Sequence, residues 1–327
     1  MYPSRISSLI EQSQTASACA NIFAKFIATP FVDCEVGKTV IGYTPTGKQY
    51  TMTTLTKEIA ESLAKFGGAY ILVSKNLAGE VTSAKVVDFS KVRFSAFDDL
   101  GRSNFAYIGD WSGEVVNVGK KKNSKFQKIP LYTSIYDVYK AMAENTGTTL
   151  SLYHIFVNEQ YMYPTSIFES VAYDMATEYE IQVNRYEEIT QGSPSKLIIR
   201  TDIAGSENEK EEQIAEIEKF AGSKGSRCLI IRSSFGDDGE PISNGYKLDQ
   251  IADTRDLSKF SEAEKACANN IRKVIGIQSI LIDSENITSV EVSAAQMKMA
   301  TYLFDLQVKD IREMVTASLG EIFAKTN

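Results

Sequence analysis

The sequence predicts an α+β protein, and three observations carry that reading. Short alternating or wholly apolar runs, separated by Gly and Pro turns, fill the first 160 residues. From Pro164 onward apolar residues recur with helical spacing, interrupted by a mixed stretch at 192–256. The last pattern, Val290 to Lys325, would make one helix of roughly 50 Å.

The elements follow in order. Ile6, Ile10, Ala18, Ile22, Phe23 and Phe26 share one face of an N-terminal helix that Pro30 should close. Residues 39–43 and 48–52 are β-rich runs around Thr44-Pro45-Thr46-Gly47, hence a hairpin. Thr56 to Phe66 is amphipathic and stops at Gly67-Gly68. A buried strand follows at 69–73, a turn at 76–79 and a return strand at 81–87. A second hairpin joins 92–97 to 105–108, and 118–128 reads as a basic loop. Pro164 opens a helix to about Gln191, with Ser166 and Glu169 at capping-box spacing. Within 192–256 the expected order is strand 197–200, acidic helix 207–220 and strand 228–233. Another helix, Leu257 to Ile275, stops at Gly276.

Composition excludes several classes of function. The chain has 327 residues, 43% hydrophobic and 24% charged, which is enough apolar material for a large core. Its net charge is −7, which argues against general nucleic-acid binding through cationic excess. The most apolar stretch, Ile22 to Val32, is broken by Lys25 and Pro30, so no membrane span or membrane association is expected. The N-terminus carries no basic-then-apolar leader pattern. Cys19, Cys34, Cys228 and Cys267 are widely spaced, which suits neither a metal cluster nor a disulfide framework.

Chemical motifs are few. Gly42 to Gln49 nearly matches a phosphate-binding loop, but Gln49 stands where the magnesium-binding hydroxyl belongs, and β-like runs flank it. His154, the one histidine, lies in an apolar run and reads as structural. Asp98-Asp99 and Asp237-Asp238 are paired carboxylates near glycines, as turns require. Segment 192–256 holds 13 Asp and Glu against 9 Lys and Arg, a face for a basic protein partner.

The order of parts from Tyr153-His154-Ile155 onward carries a resemblance. Tyr163-Pro164-Thr165-Ser166 leads into a long helix ending near Gln191-Gly192-Ser193-Pro194. After a small α/β insertion comes Ile271-Arg272-Lys273-Val274-Ile275-Gly276-Ile277, then a loop, then Ser289 to Ser293 entering the last helix. Upstream, 66–73 and 87–93 fit the same scheme. This series resembles the portal proteins of tailed bacteriophages, although Gln278 stands where that family commonly has proline.

The resemblance implies a homo-oligomeric ring, usually of twelve subunits, at one capsid vertex. Double-stranded DNA would pass through it during packaging and ejection, with no enzymatic activity and no cofactor. Residues 1–163 would form the wing, an antiparallel-sheet domain facing major capsid protein and scaffold. Residues 164–191 and 257–277 would be the stem helices, and 192–256 the clip that meets terminase and then the head-tail adaptor. The tunnel loop would be 278–289, and 290–327 the long C-terminal helix, with a crown minimal or absent. The protein would assemble in the host bacterial cytoplasm and end in the virion.

Site residues follow from that mapping. Gln278, Ser279, Asp283, Ser284, Glu285 and Asn286 would line the channel, a segment with no Lys or Arg. Lys259, Lys265, Arg272 and Lys273 would guide DNA sparsely along the stem, if they are not ordinary helix-surface charge. Glu211, Glu212, Asp237, Asp238 and Glu240 would meet clip partners. Two rivals differ in class. A metal-dependent nuclease or phosphatase would need Asp98, Asp99 or Asp237 to hold a cation. An adaptor or scaffold-associated ring protein would not need two long helices around a compact insertion.

Overall fold

The computed structural model describes residues 2–32, 34–44, 46–97, 99, 103–111, 126–132, 134–144, 146–158, 162–191, 196–201, 228–232, 246–251, 257–282 and 294–324. It divides into two bodies, residues 1–179 with 265–327, and residues 180–264.

The first body opens with helices α1 (Tyr2–Gln12) and α2 (Gln14–Val32). One helix was expected here. The break falls at Ser13, which is buried and donates its hydroxyl to the Glu178 carboxylate. A serine that bonds a distant acid in this way stops belonging to the regular apolar face. Pro30 does not close α2 but lies inside its last turn.

Strands β1 (Val40–Tyr43) and β2 (Gln49–Thr51) form the expected antiparallel hairpin. Helix α3 (Met52–Phe66) begins four residues earlier than its apolar pattern suggested, because the Thr51 side chain accepts from the Thr54 amide and caps it there. It ends at Gly67, whose φ is +71°. A Cβ at Gly67 would lie 2.9 Å from the Thr165 carbonyl oxygen, so glycine is needed for space as well as for its dihedral.

Strand β3 (Gly68–Asn76) is the centre of a three-stranded antiparallel sheet, between β4 (Val81–Val87) and β8 (Thr148–Phe156). Both its faces are covered along 69–73, which is why that run reads as continuously apolar. Ala69, Ile71 and Val73 join the main core with α1, α2, α3 and the two last helices, while Tyr70 and Leu72 join a second core with Phe89, Val92, Ala106, Ile129, Leu152 and Phe156. That second core is closed by the antiparallel sheet β5 (Val92–Phe94), β6 (Phe105–Ile108) and β7 (Gln127–Pro130). Strand β7 corrects the reading of 118–128 as loop throughout: Lys128 lies on it, with Nζ 3.8 Å from the centre of the Phe105 ring. Residues 112–125, including Lys120, Lys122 and Lys125, lie outside the described residues.

Helix α4 (Ile135–Ala143) was not anticipated. It is short and starts on a reciprocal box in which Ser134 and Asp137 cap one another. The expected helix at Pro164 begins later. Ser166 bonds the Lys65 carbonyl and the Phe168 amide, at 2.6 and 3.2 Å, and a 3-10 turn, Ile167–Val171, follows before α5 (Ala172–Gln191) starts. Phe168 and Val171 are buried in the main core, and that anchoring keeps the first turn tight.

In the second body, β9 (Lys196–Thr201) pairs in parallel with β10 (Cys228–Arg232) and antiparallel with β11 (Tyr246–Ile251). The third strand was not foreseen, and the predicted helix at 207–220 lies outside the described residues. Arg185 forms an ion pair with Glu264 at 2.5 Å in this body.

Helix α6 (Leu257–Ile275) matches its expected bounds. Helix α7 (Ala294–Phe323) spans 30 residues, about 45 Å. Phe304, Val308, Val315, Leu319 and Ile322 bury one of its faces, and Phe304 packs on Phe23 and Phe26 at ring separations of 6.0 and 4.9 Å. At roughly 1.5–3 kcal/mol per buried large side chain, this stripe is a main fastening of the body.

Candidate functional site

The candidate site is the end of α6 and the segment after it. Helical spacing sorts α6 into two faces. Cys267, Ala268, Ile271 and Ile275 are buried. Lys265, Asn269 and Lys273 are exposed, and Arg272 is half-buried beside them. Arg272 donates to the Asn269 amide oxygen at 3.3 Å, which holds its guanidinium along the helix. Asn270 donates to Asp174 of α5 at 3.0 Å. The structure therefore brings Lys265, Arg272 and Lys273 onto one helix face. Lys259 belongs to α6 by backbone, but its side chain lies outside the described residues.

Burial raises the Cys267 thiol above its ordinary value, and the nearby carboxylates Asp174 and Glu178 push it the same way. Both effects disfavour the thiolate, the form in which a cysteine is reactive.

Gly276 ends α6 with φ of +77°. Ile277 returns to the core, and Gln278 precedes a short 3-10 turn, Ser279–Leu281. Gln278 and Ser279 are both exposed. Asp283, Ser284, Glu285 and Asn286 lie outside the described residues, as do Glu211, Glu212, Asp237, Asp238 and Glu240. Of the predicted channel residues, the described structure thus includes only Gln278 and Ser279.

The rival sites gain little. Asp99 is exposed, and Asp98 lies outside the described residues. No group of three or more His, Cys, Asp or Glu side chains could hold a metal among the described residues. His154 is ringed by aromatic groups, with Phe156 and Phe94 at centroid distances of 4.5 and 5.7 Å and the Tyr132 hydroxyl 3.1 Å from Nδ1. No described helix is long and apolar enough to cross a membrane.

Sequence reasoning missed three polar anchors. Glu178, only 3% exposed, accepts from the hydroxyls of Ser13 and Thr15. Lys75, equally buried, donates to the Ala324 carbonyl at 3.1 Å, supplying the cation that the last turn of α7 lacks. Gln307 reaches from α7 to the end of α6. All three pairings join residues far apart in sequence, and no local pattern announces them.

No protein-family profile matches the chain, and no curated protein matches its sequence. Solved structures do. A chain in the virion of a native gene transfer agent (GTA) particle aligns over 98% of this chain and 81% of its own, with a TM-score of 0.56 and 13% identity. The neck of a native GTA particle computed with C12 symmetry gives 0.55 at 13% identity, with the same coverage. An HK97 family phage portal protein from Corynebacterium diphtheriae aligns over 91% of this chain and 85% of its own, at 0.50 and 9% identity. At such identities the likeness speaks for the fold, and the chain has the fold of an HK97-family phage portal protein.

Proposed function

We propose that this chain is a portal subunit: a structural protein of a phage-like virion that assembles as a ring around a DNA channel. The observation that carries this is fold likeness along nearly the whole chain, both to a portal protein and to a virion neck with C12 symmetry. In this reading 1–163 is the wing, 192–256 the clip and 278–289 the tunnel loop. The stem helices are 164–191, helical from Ala172, and 257–277, and 290–327 is the long C-terminal helix. The clip docks terminase during packaging and a head-tail adaptor afterwards, and the wing meets capsid and scaffold.

The physics of passage suits these residues. DNA that must slide cannot be held by many lasting cationic contacts, because each adds affinity and friction. Lys265, Arg272 and Lys273 give a sparse cationic line, and one of the three is already engaged with Asn269. The tunnel-loop sequence adds two acids and no base.

Labelling the chain in assembled particles tests this reading. An epitope tag on the chain should appear at a single vertex of each DNA-filled particle. Label at every vertex, or none in purified particles, would contradict it.

A further inference from the structure

Helix α7 has two apolar faces in its first half. One carries Phe304 and Val308 into the core. The other carries Met299, Tyr302, Leu303 and Leu306, which recur at three- and four-residue steps on the opposite side and are 56, 58, 43 and 47% exposed. Further along, that side turns polar with Lys309, Asp310 and Glu313. At roughly 100 Å² for each half-exposed large side chain, the four offer on the order of 400 Å². That is about half of what one partner contributes to a stable interface, near 800 Å².

The same body holds an unfilled groove of about 450 Å³ between α2 and α3. Its floor is Ala24 and Ala28, and its rim includes Asn21, Lys25, Lys57 and Glu61. On the α2 wheel, Ala24 and Ala28 point away from Phe23 and Phe26, the residues that hold Phe304. The chain's own α7 therefore packs on the other side of α2 and leaves the groove open.

Knobs on one surface and a groove on another, within one body, are the parts of a head-to-tail contact that closes into a ring. We infer that the Met299–Leu306 face of α7 seats in the α2–α3 groove of the next copy of this chain. This rests on the ring reading above and names the surfaces that would build the ring.

The test is the native mass of the full chain by light scattering, with circular dichroism and melting as fold controls. Leu303→Asp with Leu306→Asp should reduce the ring to monomers while the melting temperature of the subunit changes little, since both side chains are exposed. Asn21→Trp, which fills the groove from another helix, should do the same. Leu303→Cys with Asn21→Cys should give a ladder of linked chains under mild oxidation, absent from either single variant. A wild-type ring that survives Leu303→Asp with Leu306→Asp overturns this inference and leaves the ring reading standing. Survival of Asn21→Trp, or cross-links confined within one chain, overturns the assignment of the groove as the receiving surface. A wild-type chain that forms no ring at any concentration, nor when isolated from assembled particles, overturns both readings.

Discussion

Gln307 of α7 donates from Nε2 to the carbonyl of Ile275 at 3.0 Å, and its side-chain amide fills the space into which a Cβ on Gly276 would project. One side chain thereby satisfies an orphan carbonyl at the end of α6 and fixes where the following segment departs.

Gly276→Ala should be markedly destabilising. Alanine at φ of +77° is strained by about 1–2 kcal/mol, and displacing Gln307 removes a hydrogen bond of about 1 kcal/mol. Chemical denaturation should show a loss of about 2–3 kcal/mol. The double variant Gly276→Ala, Gln307→Ala should lose less than the two single changes added together. A near-neutral Gly276→Ala would mean that the end of α6 is not fixed by this contact.

Glu178 joins the start of α2 to α5. It accepts from Thr15 Oγ1 at 2.6 Å and from the Ser13 hydroxyl, both in buried surroundings. Glu178→Ala should lower stability by roughly 2–4 kcal/mol, because two buried hydroxyls lose their acceptor. Glu178→Gln, which keeps one carbonyl oxygen, should lose less. Equal losses in denaturation curves would argue that packing, not acceptance, is what Glu178 supplies.

Lys265 and Lys273 allow the proposed channel role to be tested apart from folding. Both are exposed on α6, so Lys265→Ala and Lys273→Ala should shift subunit stability by less than about 0.5 kcal/mol. Charge reversal at both should leave the ring intact and slow DNA packaging. Unchanged packaging by a fully reversed ring would remove these residues from the channel account.

Glu58 gives a pH signature. Burial raises its carboxyl above the ordinary value, opposed by the bond it accepts from the Tyr50 hydroxyl at 2.5 Å, and Glu61 adds to the rise. With the folded value above the unfolded one, the folded state holds more protons between the two. Stability from this group is therefore greatest below the ordinary carboxylate range, about pH 4, and is lost as pH rises through the raised value. Glu58→Gln should gain melting temperature relative to wild type as pH goes from 4 to 7. A difference that is flat with pH, or runs the other way, would contradict the assigned cause.

Local features of the fold were legible where sequence and packing agreed. Gly67 and Gly276 stop helices because their dihedrals favour glycine, and both stops are visible in the sequence. Strand β3 was visible because both its faces are buried. Helix α4 was hidden by its length of nine residues. Strand β11, Tyr246–Ile251, sets Leu248 and Ile251 three residues apart among Lys247, Asp249 and Gln250, so no period-two apolar pattern announces a strand. The break at Ser13 depends on Glu178, 165 residues away, and no spacing rule reaches that far. At the candidate site, the face formed by Lys265, Arg272 and Lys273 could be read from helical spacing. The second apolar face of α7 could not, because nothing in the sequence says which of two stripes the core will take.

The central claim is the ring, and imaging the purified chain tests it most directly. Light scattering with electron microscopy of the same peak should show a closed ring of many subunits around an open channel, as the proposed portal reading requires. A monodisperse monomer or dimer at every concentration, still monomeric or dimeric when the chain is isolated from assembled particles, would contradict the account.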